Sequence, residues 1–452
     1  MTKHCFIKTY GCQMNDRDSE IIEQLLAQIG YITVADMNDA DLVVLNTCSI
    51  RAKAEQKVYS LLGQLRPNKE RNPKMRIVVA GCVAQQEGNK LIRKMPHVDI
   101  VVGTQQVYRI PELLEAIERG ESKRGLALDL SSDFEIPPYQ QFAPVVSPTP
   151  VNKSTEPQIK KFVTIMQGCN NYCSYCVVPA TRGREISRPV RDILEEVQLL
   201  ISKGVKEVTL LGQNVNSYGK TNQVAEEPVD FAGLLRQVAA LEGLKRLRFT
   251  TSNPKDLSEE LMRCFAELDV LCPHFHLPVQ SGSNRVLKLM NRKYTVESYL
   301  EKVDTLRSYR PDIALATDII VGHPGETDED FEETMELLEK VRFHGSFSFK
   351  YSDRPGTRSS EFSDKIDEKV KSTRLARFQK RQDEIGLERN QEFVGTVVEV
   401  MVEKVENGDG RGRNPTNHLV HFPANDTLRP GDFVSVAVEH AGKHSLRGII
   451  KK

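Results

Sequence analysis

The residues best equipped for chemistry lie in one short stretch, Met166-Gln167-Gly168-Cys169-Asn170-Asn171-Tyr172-Cys173-Ser174-Tyr175-Cys176. Its spacing is C-x3-C-x2-C. Three thiolates on one loop can bind one face of an iron–sulfur cubane, for which cysteine is the usual ligand. Three ligands on four irons leave one iron open. A closed zinc site is the alternative, but it wants four ligands. The twenty residues on either side hold no further Cys or His. Unpaired thiols are the remaining alternative.

Three more cysteines share a setting. Cys12 follows the run Phe6–Tyr10 and Gly11, Cys48 follows Leu42–Asn46 and Thr47, and Cys82 follows Ile77–Ala80 and Gly81. Each is predicted just past the C-terminal end of a strand. In an open α/β sheet those ends line the ligand crevice. Adjacent strands lie about 4.8 Å apart, so three such loops can converge on one small ligand. Gly11 and Gly81 would let the backbone come close to it. Scattered core cysteines are the bland alternative. Cys5, Cys264 and Cys272 lack this setting and are expected in the core.

Positioning these loops requires a layered α/β chain. Residues 1–119 alternate apolar runs with amphipathic stretches such as Ser19–Ile29, predicting a parallel sheet with helices on both faces. Residues 120–154, with Pro137, Pro138, Pro144, Pro148 and Pro150, have no period and are expected to be a linker. From 155 to 387 six strands are predicted, at Val163–Met166, Glu207–Leu211, Arg246–Thr250, His274–Val279, Ala316–Val321 and Ser346–Tyr351. Six βα units make an incomplete (β/α)6 barrel with chemistry at the strands' C-terminal ends. Residues 388–452 alternate around valines and predict a small all-β barrel.

Composition sets outer limits. The 452 residues carry 62 basic and 62 acidic side chains, so any nucleic-acid contact must rest on local patches. The sequence contains no apolar run of about 18 residues, so no membrane span is expected. Met1–Phe6 lacks the pattern of a signal peptide, and a cytoplasmic location is expected, where thiols stay reduced. The end of the chain, from His440, has no acid and carries Lys443, Arg447, Lys451 and Lys452. That suits contact with an RNA backbone, or simply a solvated terminus.

The loop Cys169–Cys176 resembles the radical S-adenosylmethionine superfamily. With Val177-Val178-Pro179 and Thr181-Arg182-Gly183 it looks like the methylthiotransferases. The phrases Lys8-Thr9-Tyr10-Gly11-Cys12-Gln13-Met14-Asn15, Asn46-Thr47-Cys48-Ser49 and Ala80-Gly81-Cys82 are similar to that family's N-terminal domain. Gly212-Gln213-Asn214-Val215-Asn216-Ser217-Tyr218 and His276-Leu277-Pro278-Val279-Gln280-Ser281-Gly282-Ser283 look like its tRNA-modifying branch. The run Gly395–Val400 resembles the small RNA-binding TRAM barrel. Gln167, Ala180 and Arg184 depart from the pattern without touching a proposed ligand.

The resemblance implies two 4Fe–4S clusters, a radical-generating one on Cys169, Cys173 and Cys176 and an auxiliary one on Cys12, Cys48 and Cys82. It implies S-adenosylmethionine as methyl donor and radical source, with contacts near Gly212, Gln213 and Gly322. The implied reaction is methylthiolation of carbon 2 of an N6-isopentenyl-adenosine beside the tRNA anticodon. That carbon is an unactivated aromatic C–H, which calls for radical chemistry supplied by a cofactor. Implied partners are tRNA, a low-potential electron donor such as flavodoxin or ferredoxin, and sulfur or cluster assembly proteins, around a monomer. The rival readings are a different modified adenosine, a ribosomal protein side chain, or a non-catalytic iron–sulfur RNA-binding sensor. His274, His276 and His323 are expected to be structural or to position substrate, since hydrogen abstraction needs no acid or base.

Overall fold

The computed structural model describes residues 3–49, 52–142, 158–221 and 228–451. Pro144, Pro148, Pro150 and Lys452 lie outside the described residues. The chain divides into two compact units. The first takes residues 1–155 with 164–170 and 177–192, and the second takes 156–163, 171–176 and 193–452. Segments expected in the barrel, including Thr181–Gly183, thus pack in the first unit.

The first unit is built on a six-stranded parallel sheet. Its strands are β1 (Lys3–Thr9), β2 (Tyr31–Thr33), β3 (Leu42–Thr47), β4 (Arg76–Gly81), β5 (Ile100–Val102) and β6 (Gly125–Ala127), in the order β2-β1-β3-β4-β5-β6. The unbroken apolar run of β3 follows from burial on both faces. Val43 and Leu45 pack with Val58 and Leu62 of the helix Ala52–Arg71, while Leu42 and Val44 pack with Ile22 and Leu26 of the helix Gln13–Gln28. Strand β6 lies inside the segment expected to be a linker. Its amides pair with β5, so residues 125–127 extend the sheet instead.

The second unit carries the barrel strands β7 (Lys160–Thr164), β10 (Glu207–Leu211), β11 (Arg246–Thr250), β12 (His274–His276), β13 (Ala314–Val321) and β14 (Gly345–Lys350). A short ribbon, β8 (Met166–Gln167) with β9 (Ile186–Ser187), belongs to the first unit. The barrel strands form two three-stranded arcs, β11-β10-β7 and β12-β13-β14, bridged at Leu247 and Leu271. Strand β12 ends earlier than the expected Val279, because Pro278 has no amide for the ladder. On β13 the outward residues Leu315, Thr317, Ile319 and Val321 are buried, whereas Ala316, Asp318 and Ile320 are only part-buried. The lumen side is therefore the open side.

The last five strands, β15 (Val397–Glu406), β16 (Asp409–Arg413), β17 (Leu419–Pro423), β18 (Phe433–Ala441) and β19 (Ser445–Ile450), close into a barrel around Val400, Val420, Phe422, Val436 and Leu446. This barrel is bolted to the start of β11. Arg246 donates to the Arg413 carbonyl at 2.6 Å and pairs with Glu399 at 3.0 Å. Arg248 donates to the carbonyls of Pro415 (2.9 Å) and Asn414 (3.0 Å), and pairs with buried Glu207 at 3.0 Å. Replacing Arg248 with Met strips Glu207 of this partner and frees two carbonyls. We expect a loss of about 3 kcal/mol in urea unfolding, with faster amide exchange in β16 and β17.

The same seam holds three neutral histidines. Burial holds His344 down to about 3, His418 to about 4, and His274 well below the usual imidazole range. His418 stacks near Phe393 and His344, with ring centroids 4.7 and 5.7 Å away. In the unfolded chain these rings titrate near 6.5, so below that pH only the unfolded state takes up their protons. Stability is therefore fully present above about pH 6.5 and declines as pH falls toward 4, by up to ~1.4 kcal/mol per pH unit for each ring. Urea midpoints measured from pH 7.5 to 5.0 check this, and His418→Gln should flatten the profile. Among the described residues, no helix is long and apolar enough to cross a membrane.

Candidate metal centres

Strands β1, β3 and β4 are immediate neighbours, and the chain reverses direction of travel across the sheet between β1 and β3. Such a switch point opens a crevice at the C-terminal ends. Cys12, Cys48 and Cys82 each leave one of these three ends. Pairing of Thr47 with Gly81 puts Cys48 and Cys82 next in register. Cys12 caps the helix Gln13–Gln28, whose N-terminal dipole favours a thiolate.

The glycines before them are required. Gly11 has φ +146°, and a Cβ there would sit 2.5 Å from the Cβ of Cys48. Gly81 has φ +92°, and a Cβ there would sit 2.5 Å from the Thr47 carbonyl oxygen. Beneath the thiols lies a buried amide pair. Asn15 donates to Asn46 Oδ1 at 3.0 Å and to the Thr47 carbonyl at 3.1 Å. Asn46 donates in return to the Asn15 carbonyl at 2.8 Å and to Ser19 at 2.9 Å. The Cys12 thiol meets Asn15 Oδ1 at 3.4 Å.

The electrostatics favour anionic sulfur. A hydrogen bond from Cys48 pulls the Cys12 thiol down to about 6 against the effect of burial, and Arg182 adds to the pull. Burial pushes the Cys82 thiol up, countered in part by the same guanidinium. Arg182 is buried and pairs with Asp18 at 2.6 Å. Its Nη1 is buried with no hydrogen-bond partner. Three thiols at strand ends and a spare buried donor fit an anionic iron–sulfur group.

The second centre is the loop of Cys169, Cys173 and Cys176, all half-buried. Gly168 has φ +82°, and a Cβ there would strike the Arg184 carbonyl oxygen at 2.0 Å. The Cys169 amide donates to the Gly183 carbonyl at 3.3 Å. In the second unit, the Cys176 amide donates to the Cys173 carbonyl at 3.0 Å and Ser174 to Met290 at 3.0 Å. Arg292 donates to Cys173 Sγ at 3.4 Å and to the Pro278 carbonyl at 2.9 Å, tying Cys173 to the end of β12. That charge-assisted contact suits a thiolate. Among the described residues no three of Cys, His, Asp and Glu converge as they would on a single metal ion. A cubane asks for a wider set, because each thiolate takes a different iron.

The expected cofactor contacts follow the ends of two barrel strands, β10 and β13. Gly212 follows β10, its amide donating to the Thr250 carbonyl at 3.2 Å, and Gln213 comes next. Gly322 offers no free amide, since its N–H donates to Glu326 at 2.9 Å. A Cβ on Gly322 would lie 2.2 Å from Lys371 Cγ, so packing explains this glycine. His323 is fully buried, pushed down to about 4 by burial, and meets Ser174 at 3.4 Å, a structural place. His276 faces the lumen, hydrogen-bonded with Asp318 (2.9 Å) and Thr251 (2.8 Å). Phe347 pairs in register with Asp318 and lies 6.0 Å from the His276 ring. Phe347 and Phe349 are 57% and 42% exposed, so the lumen wall presents two uncovered aromatic faces. Cys5, Cys264 and Cys272 are core residues. Arg182 lies in a phrase that carries the family resemblance, with nothing there to mark what its side chain does, and Arg292 and the two phenylalanines carry no sequence signal of a role. Their partners are remote in the chain, and no local period marks them.

Three family models match the chain: the radical SAM superfamily over residues 163–338, the uncharacterized protein family UPF0004 over 4–103, and the TRAM domain over 391–451. Among solved structures, the fold is similar to the radical S-adenosylmethionine methyltransferase TsrM from Kitasatospora setae. That likeness has a TM-score of 0.55 at 15% identity and covers 79% of this chain and 75% of the other. Barrel, thiol loop and appended domains together define a radical S-adenosylmethionine class of protein.

Full-length relatives narrow the class. A tRNA-2-methylthio-N(6)-dimethylallyladenosine synthase of Desulfotalea psychrophila is 63% identical over 98% of both chains. One of Syntrophobacter fumaroxidans is 49% identical over 99% of this chain and 95% of its own. The chain belongs to the tRNA-2-methylthio-N(6)-dimethylallyladenosine synthase family.

Proposed function

We propose that this protein attaches a methylthio group to carbon 2 of N6-dimethylallyl-adenosine beside the tRNA anticodon. The observation that carries the assignment is identity of up to 63% along essentially the whole chain with synthases of that name. Cys169, Cys173 and Cys176 would hold one 4Fe–4S cluster, and Cys12, Cys48 and Cys82 a second. When bound, these groups supply the reductive cleavage of S-adenosylmethionine and a sulfur to be transferred.

The protein's own residues bind and orient. Arg292 holds Cys173 in place and Arg182 compensates charge at the other thiols. Gly212 and Gln213, just past the end of β10, and Gly322, just past β13, would contact the cofactor. The lumen wall supplies a stacking surface, Phe347 and Phe349, beside the polar edge formed by His276, Asp318 and Thr251. A base splayed from a loop can be held between such faces. Base–aromatic stacking is worth about 1–3 kcal/mol. Phe347→Ala should therefore lower kcat/KM for the tRNA about tenfold. Its thermal midpoint should hold, because the ring is exposed. The closed β-barrel at residues 397–450 is the segment that would grip the RNA backbone. A low-potential one-electron donor completes the partners.

Nucleoside mass spectrometry of tRNA tests the function. Cells lacking this protein should lose the 2-methylthio form and accumulate N6-dimethylallyl-adenosine. Unchanged levels of the methylthio nucleoside overturn the assignment.

A further inference from the structure

The sequence Thr181-Arg182-Gly183 follows the cysteine loop by only a few residues, yet the Arg182 charge bears on the other set of thiols. It closes the short helix Val178–Arg182, which belongs to the same compact unit as Cys12, Cys48 and Cys82. Its backbone is pinned on both sides. Thr104 donates to the Thr181 carbonyl at 2.6 Å, and the Gly183 carbonyl accepts from Cys169. The residue is 3% exposed.

A guanidinium buried only for packing would be expected to spend both terminal nitrogens on its carboxylate, as arginine forks commonly do. Arg182 does not. Nη2 bonds Asp18 at 2.6 Å, while Nη1 is buried with no hydrogen-bond partner. An unmet buried donor costs about 1–3 kcal/mol. A methionine or glutamine of similar length would avoid much of that cost. The charge bears on the Cys12 and Cys82 thiols, and the guanidinium also hydrogen-bonds the Cys82 thiol. Three thiolates on a 4Fe–4S core carry net negative charge in either oxidation state, and such sulfurs accept hydrogen bonds that tune their potential.

We propose that Arg182 is a positioning and potential-setting residue for the cluster on Cys12, Cys48 and Cys82, with Nη1 donating to one of its sulfurs and Asp18 holding the guanidinium in register. This rests on the assignment of that cluster in the preceding section. The charge stabilises the reduced cluster, which differs from the oxidised one by a single added electron, so it raises the potential. Asp18 opposes the effect while fixing the geometry.

The test uses full-length protein with Cys169, Cys173 and Cys176 all replaced by Ala and reconstituted with iron and sulfide. Only the N-terminal thiols can then bind a cluster. Its midpoint potential is read by electron paramagnetic resonance during a dithionite titration with mediators. Arg182→Met at the parent's iron content should shift the midpoint to a more negative value. Arg182→Lys should recover part of the shift, and Asp18→Asn should move the midpoint the other way. An unchanged potential in loaded Arg182→Met overturns the proposal, as does an Arg182→Lys that recovers nothing. If Arg182→Met fails to fold, Asp18→Asn decides, and an unmoved midpoint there overturns the proposal. If the parent itself takes up no iron, the cluster assignment fails first, and the proposal with it.

Discussion

Replacing Cys169, Cys173 or Cys176 with alanine abolishes formation of 5′-deoxyadenosine from S-adenosylmethionine, by every one of the three substitutions equally. The reason is stoichiometric. Three thiolates reach three irons, and the segment itself supplies no fourth thiol or imidazole, since no other Cys or His lies within twenty residues along the chain. The remaining two thiols cannot orient an open iron toward the cofactor. The fold should survive. The three cysteines are half-buried, and the loop is held by backbone bonds from Ser174 to Met290 and from Cys176 to Cys173, which alanine leaves in place. Urea stability should therefore stay within about 1 kcal/mol, and iron content should fall by about half. Cys264→Ala is the contrasting control. Cys264 is fully buried among core residues, so its loss should lower stability and leave iron and 5′-deoxyadenosine unchanged. Persistent 5′-deoxyadenosine in any of the three loop variants would refute the assignment of that loop.

Much of the fold is visible in local sequence because its signals are local. The run Leu42-Val43-Val44-Leu45 is apolar at every position, as burial on both faces of a parallel strand demands, and β3 forms there. Strands β10 and β11 begin and end where their patterns do. The cysteine placement after β1, β3 and β4 was equally legible, and the strand order makes those three ends neighbours. What was not legible depends on distance along the chain. Arg182 meets Asp18 across 164 positions, and Arg292 meets Cys173 across 119. Neither contact leaves a period or a motif. Strand β6 has only three residues, too few for a pattern, and sits in a stretch whose prolines suggest a linker. Gly322 reads two ways. Its glycine is demanded by Lys371 and its amide is taken by Glu326, and a sequence cannot separate that from close approach of a ligand. Assignment of both cysteine sets to particular clusters came from family resemblance, since spacing alone left zinc and core thiols open.

Replacing Cys12, Cys48 or Cys82 with alanine should give the opposite dissociation: 5′-deoxyadenosine continues to form, and the methylthio nucleoside does not appear. The two thiol sets divide the work, so loss of the second removes the sulfur side of the reaction and leaves reductive cleavage intact. The substitutions differ in their structural cost. Cys48 and Cys82 are buried beneath the loop ends, at 1% and 6% exposure, and truncating them should cost more stability than truncating half-buried Cys12. A glycine substitution separates geometry from sulfur. Gly11→Ala would drive its Cβ to 2.5 Å from Cys48 Cβ at a φ of +146°, which alanine rarely adopts. Cys12 and Cys48 must then move apart while all six thiols remain. Gly11→Ala should therefore lose methylthiolation as the cysteine variants do, and keep 5′-deoxyadenosine formation. The measurement pairs liquid chromatography of 5′-deoxyadenosine with mass spectrometry of digested tRNA from the same reactions. Full methylthiolation by Cys48→Ala, or loss of both products in all four variants despite native folding, would show that the N-terminal thiols do not form a separate sulfur-handling site.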